Sequence, residues 1–242
     1  IPVPRREATN DLIMCGRFTL TTSPGDIANY FDLEEAPHIA PRYNIAPTQP
    51  VPCVLAKPQP EARELRHLHW GLIPSWAKDP KIGARMINAR AETLSEKPAF
   101  RSAFESRRCI VVADGFFEWK QIGRTKQPYC IRMKDGSPIA FAGLWERWSG
   151  PDTVIDSCTI ITAEPNDLVR DIHDRMPAIL DRQDLGKWLE HDGKDTTELE
   201  ELLRPFPSAR MRVFPVSTRV NSPRFDDPDC IRPVEEQGSL DF

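Results

Sequence analysis

No stretch of this 242-residue sequence is both apolar and long enough to span a bilayer, and no charged-then-apolar leader of the secretory kind is present. The chain is therefore expected to be a soluble, cytoplasmic protein with no membrane partner. Its six cysteines (Cys15, Cys53, Cys109, Cys130, Cys158, Cys230) are scattered, with no CxxC pair and no Cys/His cluster, so neither a zinc site nor a disulfide framework is indicated. Five of them read as buried or incidental thiols. Gly71, Gly83 and Gly115 make no phosphate-cradling pattern, and no cofactor is expected. The His67-x-His69 pair has no nearby acid or cysteine to complete a ligand set, so no metal is expected either. Internal repeats and low-complexity tracts are also missing.

Charge of either sign is not in short supply, but it is unevenly placed. Pro60 to Lys134 carries 15 Lys+Arg against 8 Asp+Glu, a balance of +7, while the whole chain is at −4. A basic segment inside an acidic protein suits a localised phosphate-binding face; a solvated surface with interspersed charges is the plainer alternative. The 24 prolines are spread along the chain and predict many turns rather than a linker.

The order of elements points to an α+β fold. Strands are expected at Arg17–Thr21, Val51–Ala56, Glu64–Trp70, Cys109–Ala113, Tyr129–Met133, Ile139–Trp145, Val154–Thr162 and Arg212–Ser217. Ser23-Pro24-Gly25-Asp26 reads as a helix start running to Phe31. Further helices are expected from Ser95 to about Arg107, from Glu164 to His173, and after Asp181 and Thr196. Pro41–Thr48 reads as an ordered loop. Strands dominate without βαβ alternation, which predicts a curved, largely antiparallel sheet or barrel-like β core with several flanking helices. One domain over residues 14–234 is expected, with an irregular tail at 235–242. Ile1 is not an initiator, so residues 1–13 are expected to be an N-terminal extension: a tag, a mis-assigned start or a removable pro-segment.

What is present, and unusual, is Met14-Cys15-Gly16-Arg17-Phe18. If Met14 were the initiator, its removal would leave Cys15 with a free α-amine beside its thiol. That pair can condense with one aldehyde to close a thiazolidine, which an internal cysteine cannot do. In Phe116-Phe117-Glu118-Trp119, strand periodicity sets Glu118 on the face of Phe116. Desolvation among aromatics disfavours a charged carboxylate and makes a usable acid or base; the alternative is a wet face with a solvated side chain. His173, flanked by Asp171 and Asp174, is a proton shuttle or a simple cap. Asn88 and Arg90 lie at strand spacing, a same-face pair for a substrate oxygen and a phosphate, or else a surface turn. Trp70, Trp76 and Trp119 could stack bases, with at least one of the three expected in the core.

Taken together, Met14–Phe18, Tyr43-Asn44-Ile45-Ala46-Pro47-Thr48, Trp70-Gly71-Leu72-Ile73-Pro74-Ser75-Trp76, Asn88-Ala89-Arg90-Ala91-Glu92, Gly115–Trp119 and His173-Asp174-Arg175-Met176-Pro177 resemble the SOS-response-associated peptidase (SRAP) family over about Met14 to Val220. The resemblance implies capture of abasic sites in single-stranded DNA, as part of the DNA damage response, through a thiazolidine crosslink made by an N-terminal cysteine. It also implies self-processing peptidase and weak lyase activities. Carried over residue by residue, it makes Cys15 the nucleophile, Asn88 the hydrogen-bonding amide, Glu118 the proton-transfer carboxylate and His173 the histidine that assists the ring-opened imine. Arg17 and Arg90 match phosphate-contacting positions, and Trp76 lies in the strand-binding loop; Trp119 is taken with them as a DNA contact. The partner implied is abasic single-stranded DNA, the protein being nucleoid-associated in a bacterium and, by default, a monomer. Two other readings fit a Met-Cys-Gly start or a basic aromatic segment: a glutamine amidotransferase-like amidohydrolase, whose Asn-Gly-Asp context is missing here, and a non-enzymatic single-strand-binding module.

Overall fold

The computed structural model describes residues 16–59, 62–190 and 196–235. The expectation for Cys15, that for residues 1–13 and most of the 235–242 tail lie outside them. In chain order the elements are β1 (Phe18–Leu20), α1 (Pro24–Phe31), β2 (Arg42–Ile45), β3 (Pro50–Ala56), β4 (Arg63–Trp70), β5 (Asn88–Arg90), α2 (Arg101–Ser106) and β6 (Arg108–Ala113). There follow β7 (Gly115–Ile122), β8 (Thr125–Met133), β9 (Ile139–Ser149), β10 (Val154–Ala163), the two-residue β11 (Met176–Pro177) and β12 (Ile179–Leu180), α3 (Leu185–Glu190), α4 (Thr197–Glu201) and β13 (Met211–Pro215).

The larger sheet follows β11-β10-β4-β3-β6-β9-β12, and β10 also pairs antiparallel with β9. Strands β10, β4, β3, β6 and β9 thus close into a five-stranded barrel with no edge inside the ring. Pairings are antiparallel except where β4 and β5 run parallel to β10. The second sheet, β13-β8-β7-β1-β2, packs on the barrel through Phe18 against Trp70 (5.1 Å between ring centroids) and Phe116 against Phe141 (5.9 Å). The expected α+β architecture with a barrel-like, largely antiparallel core is therefore what the chain adopts.

Such a narrow barrel leaves little interior, and sulfur fills part of it. Cys53 of β3 and Cys158 of β10 are not sheet neighbours, yet their Sγ atoms lie 3.8 Å apart across the interior. Burial pushes the Cys53 and Cys109 thiols up, and Cys130 on β8 up to about 12, so these sulfurs stay protonated packing groups. All five described cysteines are buried free thiols, as expected. Gly143 of β9 makes room for one of them: a Cβ there would sit 3.0 Å from Cys109 Sγ and 3.0 Å from the Thr159 carbonyl. Gly143→Ala is accordingly expected to destabilise the fold by about 1–3 kcal/mol, read as a lowered denaturant midpoint.

Local chemistry explains where the elements start and stop. Ser23 caps α1 by accepting from Asp26 N–H, with Pro24 in its first turn, as the sequence predicts. Three expectations are corrected. Arg42–Ile45 is a strand, β2, not a loop: its flanking prolines fall outside the paired residues, and it lies at the sheet edge. The helix expected from Ser95 begins only at Arg101, because Pro98 can supply no N–H and disfavours helical geometry at Lys97. Residues 164–173 form successive turns instead of a helix. Asn166 diverts that backbone: its Oδ1 accepts from the N–H groups of Leu168 and Val169, and its Nδ2 donates to Phe206 O at 2.7 Å.

The C-terminal segment is stitched across the second sheet. Asn44 of β2 is fully buried, and its Nδ2 lies 2.7–3.2 Å from the carbonyls of Val220, Ser222 and Phe225. Asp226 returns the contact by accepting from the backbone N–H groups of Tyr43 and Asn44 and from Arg42. Val216 and Val220 close a small second core over Phe117 and Cys130. Among the described residues no helix is long and apolar enough to cross a membrane.

Candidate active site

Strand β7 decides the orientation of Glu118. Phe116 joins the main core and Phe117 the smaller one, so alternate residues face opposite sides, and Glu118 follows Phe116 toward the barrel. The carboxylate residue is 1% exposed, opposite the buried Tyr129 of β8, which removes the solvated alternative. Beside it, β1 pairs with β7 through Phe18↔Phe116, and Phe117 N–H donates to Arg17 O at 3.0 Å. Residue 16 is thus delivered to the level of Glu118, and Cys15 is one peptide bond, about 3.8 Å between Cα atoms, beyond it.

Strand β10 gathers the other two positions. Its Ile160 pairs with Asn88 and its Thr162 with Arg90, while on the opposite edge Thr162 also pairs with Pro177. Asn88–Arg90 and β11 therefore flank one strand, about 10 Å apart at two inter-strand spacings, and His173 lies three residues before β11. The approach to Asn88 is pinned by the buried Trp70, whose Nε1–H donates to Ile87 O at 2.9 Å, and Trp70 packs on Phe18 of the strand leading to Cys15. A clamp not singled out in the sequence locks both sides. Arg175 reaches both carboxylate oxygens of Glu92 at 2.7 and 2.9 Å and the Thr162 carbonyl at 2.6 Å. The two residues stand 83 positions apart, so no local pattern could have paired them.

The surroundings of His173 bias it toward the neutral imidazole. Burial pulls its pKa below the ordinary value, against Asp174, whose exposed carboxylate lies 3.0 Å from Nδ1; Lys126 and Arg175 also lower it. Nδ1 lies 3.1 Å from the Arg175 N–H, which it accepts in the tautomer protonated at Nε2. The Asp174 carboxylate, 3.0 Å from Nδ1, favours the protonated ring, and Nε2–H is a donor in both forms. A lowered folded-state pKa means that the unfolded chain binds the proton first as pH falls. The contribution of His173 to stability is therefore complete above about pH 6.5 and is lost as pH falls through its folded-state value. Relative to His173→Gln, the wild type should lose its denaturant-midpoint advantage as pH falls below about 6.5, and a pH-independent difference would contradict the lowered pKa.

The four DNA-contact candidates divide. Arg90 and Trp76 are exposed, and Trp76, at 60%, lies on a groove of about 500 Å³ that Lys78, Asp79, Lys81, Ile82 and Arg85 also line. Arg17 is half-buried and its guanidinium is committed internally: Nη1 donates to Asn44 Oδ1 and the Val220 carbonyl, Nη2 to the Asn221 carbonyl. Trp119 packs against the second core and donates its Nε1–H to Asn221 Oδ1 at 2.7 Å. In this structure both residues tether the start of β1 and the root of the β7–β8 hairpin to the C-terminal segment, which leaves Arg90 and Trp76 as the exposed candidates. Trp70, fully buried, is the core tryptophan that was expected.

The fold is shared with solved structures. A crystal structure of a protein from Bacteroides thetaiotaomicron superposes with a TM-score of 0.81 at 28% identity, covering 91% of this chain and 100% of that one. A second, from Bordetella bronchiseptica, gives 0.73 at 27% identity over 84% and 100%. They define a class of α+β proteins that share this fold. The chain belongs to the SOS response associated peptidase (SRAP) family, whose sequence model matches residues 14–223. Among relatives, abasic site processing protein YoqW of Bacillus subtilis (strain 168) is 45% identical over 223 residues, 90% of this chain and 99% of that protein. Abasic site processing protein HMCES of Gallus gallus is 35% identical over 226 residues, 81% and 67% of the two chains. This membership displaces the amidotransferase alternative.

Proposed function

We propose that this chain recognises abasic sites in single-stranded DNA and, once Cys15 is its first residue, captures the ring-opened sugar as a thiazolidine. The observation that carries the reading is Glu118, a carboxylate buried at 1% exposure on the strand beside the backbone that leads directly to Cys15. Membership of a family whose relatives are named abasic site processing proteins supports the substrate class.

The chemistry balances without an oxidant. The Cys15 amine adds to the C1′ aldehyde, and the carbinolamine loses its hydroxyl as water to give an imine. The thiol sulfur then adds to the imine carbon, its proton passing to the nitrogen, and the net product is a five-membered ring plus one water. Glu118 relays the protons: to the departing hydroxyl in the first half, from the thiol in the second. Asn88 holds the linkage by hydrogen bonding, and the Nε2–H of His173 donates to the sugar oxygen freed by ring opening. Arg90 and the Trp76 groove hold the flanking strand, by charge and by stacking. Reversal through the same imine, with uptake of one water, returns amine and aldehyde. The weak lyase activity instead proceeds from that imine by loss of a C2′ proton and expulsion of the 3′ phosphate, and hydrolysis of the peptide bond ahead of Cys15 is the peptidase step.

The test uses a chain that begins at Cys15, mixed with a single-stranded oligonucleotide carrying one abasic site. A protein–DNA species that survives denaturation, heavier than the two reactants' sum less one water by no more than instrument error, is expected. Its failure to form would overturn the reading.

A further inference from the structure

The β7–β8 hairpin does more than hold Glu118. Strand β1 accompanies β7 only as far as Phe117, whereas the β7–β8 ladder continues outward through Lys120↔Gln127 to Ile122↔Thr125. Four residues beyond Glu118, at about 3.4 Å each, make an arm of about 13 Å that overhangs the side where the chain enters β1. The arm is stiff. Gly123 takes φ +57° at the first central position of the turn while Arg124 keeps negative φ, the pattern of a type II′ hairpin turn. Gln121 Nε2 donates to Gly123 O at 2.8 Å, and Thr125 Oγ1 donates to Ile122 O at 3.0 Å. At its root Gln127 Nε2 donates to Val216 O at 2.8 Å, fixing the arm to the C-terminal segment.

Its charge is of one sign, carried on both faces of the hairpin: Lys120 pairs with Gln127 and Lys126 with Gln121. From Trp119 to Lys134 the sequence holds five cations (Lys120, Arg124, Lys126, Arg132, Lys134) and no carboxylate, inside a chain of net −4. Arg132 is tied down by Asp114 at 2.9 Å. Lys120, Arg124 and Lys126 form no ion pair among the described residues, whereas Arg42, Arg66, Arg147, Arg175, Arg210 and Arg219 are each matched to an acid. Residues 121–126 are all exposed, and Ile122 at the tip is one of five exposed large hydrophobic side chains among the described residues.

We propose that the hairpin from Trp119 to Pro128 is a second nucleic-acid-binding element, gripping phosphates of the strand that flanks the captured sugar through Lys120, Arg124 and Lys126. This rests on the reading of the site as an abasic-DNA site. A rigid, preformed cationic arm suits a polyanion: the groups are already extended, so little ordering entropy is lost when the backbone docks, and each contact releases counterions. Ile122 offers an apolar surface to an unstacked base at the same place. The arm acts on affinity and on how far the footprint extends, not on the covalent step.

The experiment compares wild type with K120Q/R124Q/K126Q, both beginning at Cys15. Binding to undamaged single-stranded DNA is titrated by fluorescence anisotropy between 50 and 200 mM salt, concentrations at which phosphate contacts are strongly attenuated. Losing three phosphate contacts should make the slope of log K against log[salt] shallower by about 2, at about 0.7 per contact. The charge-conserving K120R/R124K/K126R should keep the wild-type slope, which excludes a folding artefact. Adduct formation at saturating abasic DNA should proceed in the neutralised variant within about twofold of wild type. An unchanged slope overturns the role of the arm even if wild type forms the adduct. A shallower slope in a protein that forms no adduct upholds the arm and sinks the covalent reading.

Discussion

Glu118→Gln, in a chain that begins at Cys15, is expected to form the abasic-site adduct about 10²–10⁴-fold more slowly than wild type, the range associated with losing a positioned proton-transfer group. The substitution is nearly isosteric, and the side chain lies at 1% exposure opposite Tyr129, so the loss cannot come from a surface DNA contact. Affinity for undamaged single-stranded DNA should stay within about twofold of wild type, because the exposed cations Arg90, Lys78, Lys81 and Arg85 are untouched. A glutamine can still donate and accept hydrogen bonds, but it cannot give up or take a proton between hydroxyl departure and thiol addition. Single-turnover reactions quenched into denaturant measure the rate. A variant reacting within threefold of wild type would remove Glu118 from the proton path and leave it as a buried packing residue.

The second large effect is all-or-none and concerns the amine. A chain beginning at Cys15 should give a denaturation-resistant adduct, whereas the 242-residue chain with its first 14 residues still attached should give none until they are removed. Peptide resonance draws the nitrogen lone pair into the carbonyl, so an internal Cys15 offers only its thiol. A thiol adds to an aldehyde reversibly, giving a hemithioacetal that denaturation and dilution return to reactants. Cys15→Ala at the first position separates the two nucleophiles. Its free amine can still form the imine, which should hydrolyse on denaturation but become permanent when reduced with borohydride. Intact mass of each species decides among these outcomes. A stable adduct from the chain with its extension demonstrably attached would refute the requirement for the amine.

Much of this was legible because the core strands obey a period of two. Alternation alone set Phe116 and Glu118 on one side and Phe117 and Trp119 on the other, and the structure keeps that division. The Ser23-Pro24 start of α1 was equally plain, since cap and first turn are chemically local. The errors fall where one residue redirects the backbone, as Pro98 does before α2 and Asn166 does through its side chain. Long-range ties were beyond reach for a different reason. Arg17 carries the sequence signature of a surface cation, and only its bonds to Val220 and Asn221, 203 and 204 positions away, show it committed indoors. Trp119 likewise reads as a stacking platform until Asn221, 102 positions on, takes its indole N–H. The three tryptophans thus share a composition class and occupy a core, a rim and a tether.

The stitching of the C-terminal segment has a consequence for how the protein comes into being on the ribosome. Cys15 is made about 200 residues before the groups that hold the backbone leading to it, the carbonyls of Val220 and Asn221 for Arg17 and those of Val220, Ser222 and Phe225 for the buried Asn44. During synthesis the strand leading to the nucleophile has no completed seat, whatever has happened to the residues ahead of it. The fold therefore delays its own reactivity: an emerging chain can expose the cysteine to processing enzymes well before the site that would turn it on an aldehyde has closed around it.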